Sequence, residues 1–415
     1  MALRASPCGS SRPRSSPLDK SLPHPLFAAP GAGVPDAAAA RLDEWFDPAG
    51  LGRNRRYRAG GWALGVAGMA TGVAWTATVV LSGSRWRPVV SRWVGGRSIP
   101  AACVFGAGLA VSGDVVRLPL AAVSYGWGRA HGVVTQPLRS WLSDRGKAAG
   151  LGVGLSSVLA IATAATMRRS PRTWWLATWG VVSVGTVALT LAGPKLIEPL
   201  FQRTRPLDDP DLEHDVREVA AAIGVPVRQV VLNDASTRTT GSNAYVSGLG
   251  PTRRMVLFDT LVRDFPRDQV RFVVAHELAH VARRHILRGS LISAVVSLPA
   301  LAAVGGAVAA VTGTRRIGSR DADLTLRRLT VATVGAGVLG ALAGRLGMKM
   351  SRGFEREADW EALRATEDPE AAIELHRGLV TRNLGVPNPP TWVQRLWGSH
   401  PTALERIGLA LRSRS

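Results

Sequence analysis

The chain has 415 residues, a formal net charge of +21 and a mean hydropathy of +0.10, although only 20% of its residues are charged. This length allows two or three domains. A soluble nucleic-acid-binding protein with this charge would carry dense Lys and Arg clusters beside aromatic residues, whereas these arginines fall mainly between long uncharged runs, so the composition predicts a membrane protein with basic loops and no nucleic-acid partner.

The N-terminal residues 1–40 are rich in Pro, Ser, Ala and Arg and show no sustained periodicity. We expect a disordered tail, because such a segment cannot bury enough apolar surface to fold. A basic cluster follows the tail, and we predict that it lies at a membrane surface on the side that holds the N-terminus. The cluster consists of Arg53, Arg55, Arg56 and Arg58.

Six apolar segments have about the 20 residues that a helix needs to cross a bilayer. Four of them lie in a predicted membrane region at 41–193, and two lie at 289–348. The second segment carries Asp114 and Arg117, which are three residues apart and so are able to pair inside a helical bundle. The six predicted spans are 61–82, 99–124, 148–167, 173–193, 290–313 and 329–348.

The segment 194–288 between the fourth and fifth spans is predicted to be a soluble domain. Its patterns favour an amphipathic helix, a short strand and a hairpin, at 211–223, at 227–232, and at 243–249 with 254–259. The free edge of a hairpin beside a metal-binding helix can bind a substrate backbone as an added strand. Asn243 is able to add a side-chain hydrogen bond there, although its chemistry alone favours a turn residue.

Residues 271–285 contain no Gly or Pro and predict one helix that carries a metal-binding motif. On this helix His276 and His280 are one turn apart and point the same way, which suits two imidazoles binding one metal ion, usually zinc. Glu277 lies beside them, placed to take a proton from a metal-bound water. His285 lies about 140° further round the helix than His280. We therefore predict that His285 either ends the helix or contacts a metal ligand without binding the metal itself.

The C-terminal segment 349–415 is predicted to complete the catalytic domain with a third ligand. Glu355 and Asp359 share a helical face, while Glu357 points about 200° away from Glu355. Two interpretations follow from the spacing alone. Either Glu355 is the third ligand and Asp359 orients a histidine or assists proton transfer, or the acids pair with neighbouring arginines on a surface helix.

The number of spans tests whether these segments can meet. Two predicted spans separate 194–288 from 349–415, so both segments emerge on the same side of the membrane. Four spans precede 194–288, so the catalytic segments share a side with the basic N-terminal cluster. The positive-inside rule then favours the cytoplasmic side for the active site.

Five motifs, in this order, resemble the type I CAAX prenyl protease family, whose members are integral-membrane zinc endopeptidases related to the heat-shock membrane proteases. The motifs are Ser-Asn-Ala-Tyr-Val-Ser-Gly-Leu-Gly at 242–250, Arg-Met-Val-Leu-Phe-Asp-Thr-Leu at 254–261, Ala-His-Glu-Leu-Ala-His at 275–280, Ser-Arg-x-x-Glu-x-x-Ala-Asp at 351–359 and Ser-His-Pro-Thr-x-x-Glu-Arg-Ile at 399–407. The resemblance implies a mainly α fold, in which a polytopic bundle of membrane helices carries a gluzincin-type zinc metallopeptidase domain with a small β-hairpin or sheet.

The resemblance also implies roles for eight residues. One Zn²⁺ per chain would be held by His276, His280 and Glu355. The catalytic residues would be Glu277 as the base and Asp359 as a second acid. The substrate-binding residues would be Asn243, on the substrate strand, with His400 and Arg406 near the active site.

Two features depart from the family and leave the substrate open. We predict six spans where the eukaryotic prenyl proteases have seven, and the tail 1–40 is foreign to them. The Gly-, Ala- and Arg-rich composition is typical of a high-GC bacterium, where prenylated substrates are not expected. We therefore predict a multi-pass protein of a bacterial inner or plasma membrane, with membrane lipid and a peptide or protein substrate as partners and the oligomeric state open.

The main functional prediction is a zinc-dependent endopeptidase that cuts peptide bonds near the membrane surface. Three alternatives remain open at this point. One is a membrane quality-control protease of the heat-shock type, which would cut unfolded chains. The others are a catalytically silent membrane zinc sensor and a basic membrane scaffold in which the motif is accidental.

Overall fold

A computed structural model describes residues 29–31, 33–248, 250–313 and 320–414. Within these residues the chain is mainly helical and contains one small sheet. The N-terminal half contains helices α1 Leu42–Trp45, α2 Gly52–Leu81, α3 Gly83–Trp93, α4 Ser98–Ala130, α5 Leu138–Arg169 and α6 Trp174–Leu196.

A soluble part follows, and two more long helices come after it. The soluble part contains α7 Glu198–Phe201, β1 Thr204–Pro206, α8 Pro210–Ile223, β2 Gln229–Asn233, β3 Ala244–Ser247, β4 Arg254–Phe258, α9 Asp259–Asp264 and α10 Arg267–Ala282. The remaining helices are α11 His285–Thr312, α12 Ala322–Thr366, α13 Pro369–Arg382, α14 Thr391–Trp397 and α15 Ala403–Arg412.

Six of the described helices are long and apolar enough to cross a membrane, and each overlaps one of the six predicted apolar segments. They are α2, α4, α5, α6, α11 and α12. Helix α12 has 45 residues and is about 68 Å long, roughly twice the hydrocarbon thickness of a bilayer. Its C-terminal part therefore extends out of the membrane into the soluble part of the protein. The chain is a multi-pass membrane protein.

The membrane helices α4 and α5 pack closely along one another. Gly106 of α4 lies against the backbone of Ser156 and Ser157 in α5, where a Cβ atom would overlap the Ser156 carbonyl oxygen. Small residues allow this close approach of two helices in a membrane, where packing replaces the hydrophobic effect as the source of association.

The sheet of the soluble part has the strand order β1-β2-β4-β3. Strands β3 and β4 form the predicted antiparallel hairpin, with Ala244 opposite Leu257 and Val246 opposite Met255. Strand β2 is parallel to β4, and its position matches the strand predicted at 227–232. Because β3 lies at the edge of the sheet and packs on α10, one free strand edge lies next to the metal-binding motif.

The N-terminal segment 33–40 lies on the soluble part of the molecule. Val34, Ala37 and Ala40 pack against its core, and the Ala40 backbone N–H donates a hydrogen bond to Leu404 O at 2.9 Å. The composition predicts that this segment belongs to a disordered tail, but its apolar residues are covered by contacts far along the chain. Most of the predicted tail, at 1–28 and 32, lies outside the described residues.

Candidate metal centre

Helix α10 places the motif by burying its apolar face in the core of the soluble part. Val270, Val274 and Leu278 are fully buried there, one turn apart along the helix. The sequence predicts one helix over 271–285, and this prediction is wrong at its end. Helix α10 stops at Ala282, Arg284 takes a left-handed conformation with φ 53°, and α11 starts at His285.

The structure brings together three side chains that could hold one metal ion. His276 Nε2 and His280 Nε2 lie 3.1 Å apart. Glu355 Oε2 lies 3.3 Å from His276 Nε2, and Glu355 Oε1 lies 3.5 Å from His280 Nε2. Ligand atoms placed about 2.1 Å from one tetrahedral ion are roughly 3.4 Å apart. The three side chains therefore have the spacing that a common ion requires.

Glu355 also fits a metal better than a surface helix. Its side chain is buried, which excludes the surface-helix interpretation of this segment. Its Oε2 atom is buried and accepts no hydrogen bond from any described residue. A buried carboxylate oxygen without a donor is costly unless a cation compensates its charge, so this atom is suited to ligate a metal.

Asp359 contacts His276 at Nδ1, the ring nitrogen that does not face the metal position. Its Oδ1 lies 2.9 Å from His276 Nδ1, and Arg406 Nε donates to its Oδ2 at 2.7 Å. Arg406 also donates from Nη2 to Oδ1. The carboxylate thus orients the ring and leaves Nε2 free to face a metal. Arg406 is assigned to substrate binding by the family resemblance, but here its guanidinium holds Asp359.

The three polar residues of the metal-binding motif on α10 have shifted pKa values. Burial opposes the charge of His276, but Asp359 and Glu355 outweigh it and raise its pKa to about 10. Burial and the charge of His276 lower the pKa of His280 to about 3. Burial raises the pKa of Glu277 to about 7, and its carboxylate makes no hydrogen bond or ion pair with another described residue. Glu277 is therefore free to exchange a proton near neutral pH.

The remaining predicted residues surround this centre. Asn243 is exposed and immediately precedes the edge strand β3, and its backbone carbonyl accepts a hydrogen bond from Phe258 N at 3.0 Å. His400 is exposed, and its Nε2 lies 3.3 Å from Glu355 Oε2. Its Nδ1 lies 2.8 Å from Ser399 Oγ.

A cavity of about 820 Å³ opens beside His400 and Arg406. It lies between α2 and α4 of the membrane region and α13 and α14 of the soluble part. Three tryptophans line it, namely Trp62, Trp127 and Trp397. The cavity therefore extends from His400 and Arg406, next to the metal centre, to the membrane helices.

Two charged residues near the centre were not assigned roles from the sequence. Arg288 and Glu357 form a buried ion pair behind His280. The sequence could have predicted an acidic partner for Arg288, because an arginine at the start of an apolar helix is costly to bury without one. Glu357 points away from Glu355, as its spacing predicts, but the opposite face of α12 is also buried.

Two family models match the chain. Peptidase family M48 matches residues 206–414. The CAAX prenyl protease N-terminal model, described as five membrane helices, matches residues 36–203. In the structure this second range contains the four candidate spans α2, α4, α5 and α6, together with the shorter helix α3.

The chain is also similar to individual proteins. It is 27% identical over 294 residues to the metalloprotease YhfN of Bacillus subtilis, covering 71% of this chain and 69% of that protein. It is 31% identical over 209 residues to the probable CAAX prenyl protease 1 of Schizosaccharomyces pombe, covering 50% of this chain and 44% of that protein.

A solved structure has the same fold. The crystal structure of Ste24p from S. mikatae aligns with a TM-score of 0.78 at 20% identity, covering 90% of this chain and 92% of that one. The fold, the six membrane helices and the two family matches agree with one another. The chain belongs to peptidase family M48 and is a multi-pass membrane metallopeptidase of the CAAX prenyl protease type.

Proposed function

We propose that this protein is a zinc-dependent endopeptidase in which His276, His280 and Glu355 hold one Zn²⁺ per chain. The observation that carries the proposal is the triangle of two imidazole nitrogens and one carboxylate, with ligand atoms 3.1 to 3.5 Å apart. Two histidines and one glutamate are a donor set that catalytic zinc takes in peptidases, with a fourth position left for water or substrate.

Glu277 is the general base of this mechanism. When bound, zinc supplies a Lewis acid that polarises the scissile carbonyl and lowers the pKa of water. Glu277 accepts a proton from the attacking water and then delivers it to the nitrogen of the leaving amine. Its pKa of about 7 suits both transfers, since the group changes protonation state near neutral pH.

Two neighbouring groups assist this step. Asp359, held by Arg406, keeps the His276 ring in one tautomer and one orientation. His400 is exposed at the edge of the centre, next to Glu355, and a protonated Nε2 there is able to donate to the oxyanion that forms on the scissile carbonyl.

The substrate binds along the edge of β3 as an added strand, with Asn243 at the start of this edge. The cavity beside His400 extends to α2 and α4 and is lined by three tryptophans. These features favour a substrate that is attached to the membrane by an apolar group.

The active site faces the cytoplasm of a bacterial cell in this proposal. Arg58, in the basic cluster at the start of α2, donates to Asn383 O and Leu384 O, so the cluster lies on the catalytic side of the bilayer. The positive-inside rule assigns such a cluster to the cytoplasmic face.

The test is cleavage by the detergent-purified protein beside its Glu277→Gln variant, using one unfolded protein and one prenylated peptide. We expect the wild type to cut, and the variant to keep one zinc per chain and lose at least about 100-fold in kcat, because the amide cannot accept a proton.

Cleavage by Glu277→Gln at the wild-type rate would remove Glu277 from this role. A preference for the prenylated peptide supports the lipidated substrate, while equal cutting of the unfolded protein supports quality control. Bound zinc without cleavage of either probe would favour the sensor.

A further inference from the structure

The turn between α10 and α11 brings the His285 side chain against His280, a candidate metal ligand. His285 Nδ1 lies 2.8 Å from His280 Nδ1, and the ring centroids are 4.9 Å apart at an interplanar angle of 78°. The contact uses the His280 nitrogen that faces away from the metal position, since His280 Nε2 points toward His276 and Glu355.

This contact has one consistent pattern of protons when Nε2 of His280 binds a metal. His280 then carries its single proton on Nδ1 and donates it, so His285 Nδ1 must be the acceptor. The proton of a neutral His285 must therefore lie on Nε2. That nitrogen is 3.0 Å from Glu357 Oε2, a carboxylate oxygen that accepts it.

Glu357 is itself fixed by further donors. Arg288 donates from Nη1 to Oε2 at 2.6 Å and from Nη2 to Oε1 at 3.2 Å, which is a bidentate pair. The backbone N–H of Gly31 donates to Oε1 at 2.5 Å. Arg288 is only 1% exposed, so the pair is shielded from solvent.

Phe354 holds the same group from the side. The His285 ring is stacked on it at 4.6 Å and 22°, and the Arg288 guanidinium lies 4.8 Å from its centroid. Phe354 directly precedes Glu355 on α12, so the ring that packs against His285 and Arg288 is joined to the candidate third ligand.

We propose that His285, Glu357 and Arg288 form a positioning relay that fixes the tautomer and orientation of His280 at the metal centre. The relay parallels the pair at the other histidine, where Asp359 accepts from His276 and Arg406 holds Asp359. At His280 an imidazole is inserted between the ligand and the carboxylate. This inference rests on the proposed metal site and adds the residues that determine its affinity.

The test compares zinc affinity, by competition with a chelator, and the visible absorption spectrum of the Co²⁺-loaded protein. His285→Leu removes the acceptor, and Glu357→Gln removes the charge that selects the tautomer. We expect each to weaken zinc binding about 10- to 100-fold and to alter the Co²⁺ bands. His285→Asn should recover part of the loss, because its Oδ1 takes the place of Nδ1 as acceptor.

Glu361→Gln is the matched control. Glu361 lies one turn after Glu357 on α12 and pairs with Arg283 at the same helix junction, but it contacts none of the histidines that the structure describes. We expect this variant to bind zinc as the wild type does.

Wild-type zinc affinity and an unchanged Co²⁺ spectrum in His285→Leu would overturn the relay while leaving the proposed function intact. Equal losses in Glu361→Gln and Glu357→Gln would also overturn it, because the loss would then come from the junction in general. Absence of stoichiometric zinc in the wild type would overturn the metal site and the relay together.

Discussion

At the residue scale, the two candidate histidine ligands differ in the group that contacts Nδ1, the nitrogen that faces away from the metal position. His276 Nδ1 lies 2.9 Å from the Asp359 carboxylate, whereas His280 Nδ1 faces the imidazole of His285. An anion favours the charged form of its neighbour, and a neutral ring does not. Burial opposes the charge of both rings; at His276 the Asp359 and Glu355 carboxylates outweigh it and raise the pKa to about 10, whereas at His280 the charge of His276 adds to it and the pKa is about 3.

Zinc binding should therefore release one proton from His276. Below pH 10 the metal-free ring is charged, and its Nε2 proton must leave before this atom can bind a metal. The apparent affinity for zinc should rise about tenfold per pH unit between roughly pH 7.5 and 8.5. Chelator competition across this range measures the slope.

The Asp359→Asn variant provides the comparison for this slope. Loss of the carboxylate charge lowers the pKa of His276, so the slope should become shallower while binding at high pH also weakens. A zinc affinity of the wild type that does not change with pH would show that His276 is neutral before the metal binds.

At the element scale, long helices couple the membrane to the metal centre. Helix α12 crosses the bilayer and then carries Phe354, Glu355, Glu357 and Asp359. Helix α11 begins at His285, directly behind His280. A shift of either helix would therefore move groups at the centre, and the packing of the membrane helices matters for the geometry of the site.

The close approach of α4 and α5 at Gly106 offers a test of that packing. In Gly106→Ala the new methyl group overlaps the Ser156 carbonyl oxygen of α5, and we expect a loss of about 1–3 kcal/mol in unfolding free energy. In Gly108→Ala, on the same helix, no atom of the described residues lies within 4 Å of the new Cβ. Alanine favours the helix, so this variant should be neutral or slightly more stable.

The melting temperatures of the two variants in detergent, measured by thermal unfolding, are compared with that of the wild type. Equal melting temperatures for the two variants would contradict close packing of α4 on α5 at this position.

At the scale of the whole molecule, six crossings bring the catalytic segments to one side. Residues 198–282 follow the fourth candidate span, and α13 to α15 follow the sixth. The start of α2 lies on the same side, because Asn54 donates to Val380 O and Gly385 O at 3.0 and 2.9 Å. The end of α5 lies on the opposite side.

Labelling in intact bacterial cells tests the proposed orientation. In a background with Cys8 and Cys103 replaced by serine, Arg56→Cys should resist a membrane-impermeant maleimide, because the proposal places the basic cluster at the cytoplasmic face. Arg169→Cys, at the other end of the bilayer and also exposed, should be labelled. The reverse pattern would place the active site outside the cytoplasm.

The sequence alone determined the features that depend on local patterns. The six apolar runs, the hairpin of β3 and β4, and the shared face of His276 and His280 follow from segment length and from periods of 2 and 3.6 residues. The family was also recognisable, because its motifs are short and contiguous.

Tertiary structure decided which partner each of these faces meets. The choice of Glu355 over a surface helix, the pairing of Arg406 with Asp359, and the contact of His285 with Glu357 join residues that are 47 to 79 positions apart. Local periodicity states which way a side chain points but not what lies opposite. The break at Arg284 belongs to the same class, since its left-handed conformation is unfavourable locally and is maintained by the buried contacts of His285 and Arg288 with α12.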